Sequence, residues 1–163
     1  MSRTPQKGKK YVKLEPREHV LTRPGMYIGS LEPDESNVWV FSDDCMVKKD
    51  IKYVSGLYKI FDEILVNVLD HIVRLSSSEE THKKVKEVRI TIHEDGTITV
   101  YNDGEGIEVV KDEDYKMYAP ELIFGNMLTS SNYDDDVEKI IGGQNGIGAK
   151  ACNIFSKTFD IET

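Results

Sequence analysis

The sequence predicts an α+β fold, a two-layer sandwich in which a mixed β-sheet is covered on one face by helices. A long stretch after Gly56 has the apolar spacing of a helix, and two short stretches alternate like strands around a turn at residues 94–96. Short helical segments follow on either side of a polar, glycine-rich loop. Helix, strand pair, loop and helix in this order are typical of a sheet with helices on one side.

Composition limits the classes of protein to which the chain can belong. Its 163 residues suffice for one domain with its own core. The net charge of −8 disfavours binding to the phosphate backbone of nucleic acids, so a nucleic-acid contact would need a local surface patch or another part of the protein. Cys45 and Cys152 lack metal-binding spacing, which disfavours a zinc site and fits a reducing intracellular compartment. No signal peptide or membrane-spanning run is found, and we expect no membrane partner.

The N-terminal third is expected to contain an arm, a short helix and a pair of strands. Residues 1–10 are polar and basic without periodicity, and we expect a flexible arm ahead of a domain at 11–163. A helix over residues 18–22 should end before Pro24, because the residue preceding proline avoids the helical conformation. Residues 38–54 alternate loosely, which predicts a hairpin or two edge strands.

The remaining elements follow from apolar spacing. The apolar stripe that predicts the long helix consists of Leu57, Phe61, Ile64, Val68 and Ile72. The alternating residues that predict the two strands are Val88, Ile90 and Ile92, then Ile98 and Val100. "APELIFGNML" predicts a short helix with a proline near its start. Residues 129–143 are expected to be a long polar loop, residues 147–156 a helix, and "TFDIET" a further strand.

The opposite face of the long helix carries a polar stripe. Glu63, Asn67 and Asp70 are spaced i, i+4 and i+7, so they stack on one side. A solvated surface is the ordinary explanation of such a stripe. Asparagine is nevertheless a poor residue for a helix interior. A carboxylate one turn from an amide oxygen is a reasonable water activator beside a ligand for a hard metal ion.

Two further segments combine glycines with polar residues. "YNDGEGI" at residues 101–107 is either a tight turn or a place where Asn102 hydrogen-bonds a planar base beside Gly104 and Gly106. "GGQNGIGAK" at residues 142–150 matches neither the P-loop nor the dinucleotide pattern. Its glycines could form an anion-binding nest at the start of a helix, with Lys150 adding charge, or they could form a flexible hinge.

The motifs E-I-x-x-N, N-D-G-x-G-I, "LTSSNYDDD" and G-G-x-N-G-x-G-A-K occur in that order. Their order and spacing resemble the Bergerat-fold (GHKL) ATP-binding domain, the superfamily of gyrase B, heat-shock chaperones of the ninety-kilodalton class, MutL proteins and histidine kinases. "LYKIFDEILVN", "PELIFGNMLTSSNYDDD" and "GGQNGIGAKACNIFS" are most similar to the ATPase domain of eukaryotic-type DNA topoisomerase II.

This resemblance implies ATP and Mg²⁺ as cofactors. It implies that Glu63 is the general base for the attacking water, that Asn67 ligates Mg²⁺ and that Asn102 recognises adenine. Asp70 and Gly106 join the ATP site. The residues implied to contact ribose and phosphates from a lid are Ser130, Ser131 and Asn132. Those implied to wrap the β- and γ-phosphates are Gly143, Gln144, Asn145, Gly146, Ile147, Gly148, Ala149 and Lys150.

The resemblance also implies a function and partners. In such enzymes ATP binding closes a dimer gate around a DNA duplex and hydrolysis resets it. The implied partners are a second copy, reached by arm exchange through Tyr11, and double-stranded DNA. The implied location is the nucleus for a eukaryotic protein, or the host cell or virion for a viral one. The alternative is a nucleotide-operated interaction module of the chaperone, MutL or kinase kind.

The chain departs from the family pattern at several positions. Val68 and Leu69 stand where relatives carry smaller residues, and His71 stands where asparagine is common. Glu108, Gln144 and Ile147 are further departures. None of these changes removes a catalytic group.

Overall fold

The computed structural model describes residues 11–76, 83–127 and 146–163. The fold is α+β, as the sequence predicts. The helices are α1 (Pro16–Thr22), α2 (Ser55–Ser76), α3 (Ala119–Gly125) and α4 (Gly148–Phe155), with a 3₁₀ turn at Pro24–Met26. The strands are β1 (Pro33–Ser42), β2 (Cys45–Val54), β3 (Val88–Ile92) and β4 (Ile98–Asn102).

The predicted N-terminal helix and hairpin are both confirmed. Helix α1 begins at Pro16, earlier than predicted, because proline fits the first helical position, where its missing N–H is not needed. Strands β1 and β2 pair antiparallel along their whole length. Asp43 and Asp44 join them in the left-handed region, with φ of 54° and 59°, which is the geometry of a type I′ turn.

The second hairpin is also confirmed. Strands β3 and β4 pair antiparallel, with Val88 opposite Asn102 and Ile92 opposite Ile98. Their turn is stabilised by Asp95, whose Oδ1 accepts the Thr97 amide at 2.8 Å. The two hairpins form separate two-stranded sheets in the described part of the chain.

The expected mixed sheet is therefore not found among the described residues. The predicted strand at "TFDIET" does not form, since residues 158–163 make no strand ladder. This segment is attached instead by the side chain of Thr163. Its Oγ1 accepts the Ile107 amide at 2.6 Å and donates to the Ile107 carbonyl at 3.1 Å. Side-chain attachments of this kind do not build the parallel pairing that a mixed sheet requires.

Helix α4 lies at the centre of the helical layer. It packs against α1, α2 and α3. Its small residues Ala149 and Ala151 are buried, which lets the neighbouring helices approach closely. The Asn153 amide donates to the Phe124 carbonyl at 3.0 Å and ties α4 to α3. Among the described helices, none is long and apolar enough to cross a membrane.

Candidate functional site

The polar stripe predicted on the long helix lies on α2. Glu63, Asn67 and Asp70 fall within its 22 residues at the predicted spacing. Asn67 is exposed and Asp70 is half-buried. The Glu63 side chain is 25% exposed. The stripe therefore combines a partly shielded carboxylate with an amide that an approaching ligand can reach.

Lys59 holds one oxygen of the Glu63 carboxylate. Its Nζ lies 2.7 Å from Glu63 Oε1 and 3.5 Å from Asp62 Oδ2. The hydrogen bond to Glu63 is the main reason why the pKa of Lys59 is raised above its ordinary value. Sequence reasoning missed this residue, although opposite charges at i and i+4 were a readable signal.

The glycine-rich loop meets the polar stripe at Gly148, the first residue of α4. A Cβ added to Gly148 would overlap Glu63 Oε2, and it would lie 2.6 Å from Glu63 Cδ and 3.0 Å from Glu63 Cβ. The Glu63 carboxylate therefore rests directly on the Cα of Gly148. Two motifs that are far apart in the sequence form one site.

The start of α4 agrees with the predicted helix. Gly146 has a φ of 57°, in the left-handed region that glycine adopts without strain, and Ile147 is the N-cap. Lys150 lies in the first turn and is only 4% exposed. Burial lowers the pKa of Lys150 below its ordinary value, because it disfavours the charged ammonium.

Six of the predicted contact residues lie outside the described residues. They are Ser130, Ser131, Asn132, Gly143, Gln144 and Asn145. The predicted polar loop at 129–143 and the arm at 1–10 also lie outside the described residues. The described part of the glycine motif is Gly146 to Lys150, and α4, which begins within it, contacts α2.

Asn102 ends β4 and opens the turn that its sequence predicts. Its Oδ1 accepts the Gly104 amide at 3.2 Å. The Asp103 carboxylate accepts the amides of Lys86 and Glu87 at 2.7 and 2.8 Å. These two hydrogen bonds hold the pKa of Asp103 below its ordinary value. The segment is thus a tight turn, and this structural role leaves the base-binding alternative open.

Close packing by neighbouring residues explains why Gly104 and Gly106 are glycines in this turn. A Cβ on Gly104 would lie 2.5 Å from Val85 Cγ2 and 3.1 Å from Leu75 Cδ1. A Cβ on Gly106 would lie 2.6 Å from Thr163 Oγ1. Both glycines make room for neighbouring protein atoms, so a ligand is not needed to explain them.

Helix α2 is the element that brings the motifs together. Its Glu63 contacts the start of α4. Two turns further along the helix, Nε2 of His71 lies 2.8 Å from the Glu105 carbonyl oxygen in the turn at residues 102–107. Sequence reasoning noted His71 only as a departure from the family pattern. Its place one helical turn after Asn67 was the signal that could have marked it.

Metal ligands and clefts give two more constraints. Within 11–76, 83–127 and 146–163, no three His, Cys, Asp or Glu side chains cluster to hold a metal ion. A divalent ion at Asn67 therefore fits only if most of its ligands come from phosphates and water, which is how Mg²⁺ is usually bound.

Two open clefts of about 260 and 430 Å³ lie beside α3 and residues 159–163, and Glu63, Asn67 and Asn102 line neither of them.

Comparison with known proteins identifies the family. Residues 53–162 match the family described as histidine kinase-, DNA gyrase B-, and HSP90-like ATPase. The chain belongs to this ATPase family. The matched range includes α2, the turn at 102–107 and α4, which are the three elements that form the candidate site.

Three relatives show where the ATPase chain stands within the family. It is 49% identical to DNA topoisomerase 2 of Candida glabrata over all of its own length and 11% of that protein. It is 50% identical to the ATPase region of Saccharomyces cerevisiae topoisomerase II, with a TM-score of 0.82 over 90% of this chain and 38% of that one. The ATPase and transducer domains of Balamuthia mandrillaris DNA topoisomerase II are 45% identical, with a TM-score of 0.82 over 95% of this chain and 38% of that one. The chain spans about a tenth of the length of the curated relatives.

Proposed function

We propose that this chain is the ATP-binding and ATP-hydrolysing N-terminal part of a type II DNA topoisomerase. The observation that carries the proposal is the contact between the Glu63 carboxylate and Gly148. It puts an acidic side chain beside the glycine-rich start of a helix, where a phosphate chain and an attacking water would meet. The similarity to proteins named DNA topoisomerase 2 supports the choice of reaction.

Glu63 is proposed as the general base. Its carboxylate is partly shielded, with one oxygen at Lys59 and the other over Gly148. A base must lie within hydrogen-bond reach of the water that it orients. The position of Glu63 beside Gly148, at the start of α4, supports this role.

Asn67 is proposed as the protein ligand of Mg²⁺, one turn after Glu63. Its exposed amide can reach an ion that the nucleotide carries. Bound Mg²⁺ would neutralise part of the charge on the phosphates during phosphoryl transfer. The spacing on α2 keeps the base and the metal ligand on one face of a rigid element.

The start of α4 is proposed to bind the β- and γ-phosphates. The amides at a helix N-terminus attract anions, and Gly146 provides the left-handed bend that precedes it. Lys150 lies buried in the first turn, where burial disfavours its charge. Phosphates close to this turn would favour the charged form again. Ile147 and Ala149 contribute backbone contacts.

The remaining contacts are proposed from the family resemblance. Asn102 would recognise adenine, with Asp70 and Gly106 beside it. The lid residues Ser130, Ser131 and Asn132 would contact ribose and phosphates. Gly143, Gln144 and Asn145 would continue the phosphate loop.

Calorimetric titration of the full-length protein with a non-hydrolysable ATP analogue tests the site. Asn67→Ala should remove most of the enhancement of binding by Mg²⁺, whereas Asn37→Ala, on exposed β1, should not. Glu63→Gln should leave binding of the analogue nearly unchanged. With ATP itself, the release of phosphate should be slower by about 10²-fold or more, as expected for loss of a general base. Unchanged metal dependence in Asn67→Ala would show that the site is misplaced. Equal losses of binding and turnover in Glu63→Gln would make Glu63 structural.

The partners and location are proposed as well. ATP binding would join two copies and close a gate for passage of a DNA duplex. Tyr11 is 82% exposed at the start of the described residues, and the preceding arm would carry it to the partner's nucleotide. The similar proteins of Candida glabrata and Saccharomyces cerevisiae come from eukaryotes, and a nuclear location is the corresponding proposal. Without hydrolysis the chain would instead be a nucleotide-operated interaction module, and release of phosphate by the full-length protein distinguishes the two.

A further inference from the structure

The turn at residues 102–107 is fastened on one side to the segment before β3. The Asp103 carboxylate accepts the amides of Lys86 and Glu87. The Glu105 amide donates to the Lys83 carbonyl at 3.0 Å, and the Glu105 carboxylate pairs with Lys83 Nζ at 3.0 Å. These bonds fix the turn to its own hairpin, but they do not fix it to the helix that carries Glu63 and Asn67.

His71 makes a direct hydrogen bond between the helix and the turn. Its Nε2 lies 2.8 Å from the Glu105 carbonyl oxygen. A carbonyl can only accept, so Nε2 carries the proton and donates it. His71 stands one turn beyond Asn67 and two turns beyond Glu63, on the same face of α2. The polar stripe of α2 is therefore continuous from the proposed base to the turn.

We propose that His71 is a positioning residue for base recognition. It holds the turn at 102–107 against α2, so that Asn102 and Asn67 face the same bound nucleotide. This inference rests on the proposed function, because it assigns His71 a role in the ATP site. His71 itself does not touch the nucleotide.

Loss of the hydrogen bond has a definable effect on binding. A turn that lacks this hydrogen bond to α2 spends a smaller part of its time in the binding position, although Gly104 still packs near Leu75, and the apparent affinity falls with that fraction. The net strength of an ordinary hydrogen bond corresponds to a weakening of about threefold to tenfold. Preference for ATP over GTP should fall by a similar factor, since the turn would read the base. Turnover at saturating ATP should change less than twofold, because Glu63 lies on the helix and not on the turn.

Two variants separate the hydrogen bond from simple packing. His71→Phe keeps a ring of similar size but cannot donate, whereas His71→Gln places an amide donor near the position of Nε2. The control is His93→Phe, because the ring of His93 also makes a hydrogen bond, to Thr99 Oγ1 at 2.9 Å, but within the β3–β4 hairpin. Each variant is made in the full-length protein and checked for an unchanged melting temperature.

Binding of ATP and GTP analogues and ATP turnover are then measured. We expect His71→Phe to weaken ATP analogue binding and base preference, His71→Gln to restore both, and His93→Phe to match wild type. Nitrogen-15 spectra of wild type should show the His71 proton on Nε2. The proposal would be overturned if His71→Phe kept the wild-type affinity and base preference. It would also be overturned if the His71 ring of wild type carried its proton on Nδ1 alone. If wild type itself binds no ATP analogue, the proposed function fails instead.

Discussion

Gly148→Ala is the substitution that tests the central contact of the site most directly. The added methyl group would occupy the place of Glu63 Oε2. Gly148 is not in the left-handed region, so alanine meets no backbone strain there. The change therefore acts through the contact with Glu63 and not through the conformation of the loop.

The size of the effect follows from the distances. The new Cβ would lie 2.6 Å from Glu63 Cδ, whereas carbon atoms in ordinary contact are about 3.5–4.0 Å apart. The carboxylate must therefore move by about 1 Å. A displacement of about 1 Å at a reacting group can reduce the rate by roughly 10²-fold. The cost to stability should be about 1–3 kcal/mol, because Glu63 Cβ also lies close, at 3.0 Å, and must shift.

Steady-state ATP turnover and analogue binding in the full-length protein provide the assay. Gly148→Ala should lower turnover by about 10²-fold and affinity by much less. Gly125→Ala is the matched control, since nothing lies within 4 Å of its added Cβ. In a Glu63→Gln background Gly148→Ala should cause almost no further loss, because both changes disable the same group. Turnover equal to that of Gly125→Ala, or a full additional loss in the double variant, would refute this reasoning.

Three other predictions concern Lys59, Asp103 and Tyr11. Lys59→Met should lower ATP turnover severalfold, whereas Lys59→Arg should retain it. The melting temperature should move little in either variant, because exposed ion pairs contribute about 0–1 kcal/mol. Equal turnover in the two variants would contradict the prediction. Because the pKa of Asp103 is lowered, the hydrogen bond from the Lys86 amide to its carboxylate is fully formed above the pH range in which aspartate ordinarily titrates. This stabilisation is lost as pH falls through the lowered pKa. Protection of that amide, measured as its hydrogen-exchange rate relative to an unfolded amide at the same pH, should decrease on acidification in wild type and be low at every pH in Asp103→Ala. Tyr11→Ala should weaken the analogue-induced dimer in sedimentation of the full-length protein, and an equally tight dimer would exclude a role for Tyr11.

Local structure was readable from the sequence because it depends on neighbours in the chain. The stripe on α2 and the alternation in β3 and β4 follow from periodicity alone. The turn at residues 94–96 follows from Asp95 and Gly96, which provide a side-chain acceptor and a left-handed φ of 83°. These features need no knowledge of what packs against them.

Features that depend on distant residues were not readable from periodicity. The expected strand at residues 158–163 has suitable composition, but strand formation needs a backbone partner, and within the described part of the chain this segment hydrogen-bonds Ile107 through the Thr163 side chain. Close packing at Gly104 and Gly106 depends on Val85 and Thr163, which sequence reasoning had no means of placing there. A glycine in a motif therefore predicted an unusual backbone or a close approach, without saying which atoms approach.

Two glycines of the glycine motif are required for different physical reasons, one for its backbone conformation and one for lack of space. Gly146 is needed for its backbone, since its φ of 57° is strained for a residue with a side chain. Gly148 is needed for space, since Glu63 occupies the volume that a side chain would fill. The second requirement links the loop to Glu63, because any movement of the start of α4 toward α2 would press on the Glu63 carboxylate. Under the proposed function, phosphates bound at the start of α4 would therefore fix the position of Glu63 as well as their own.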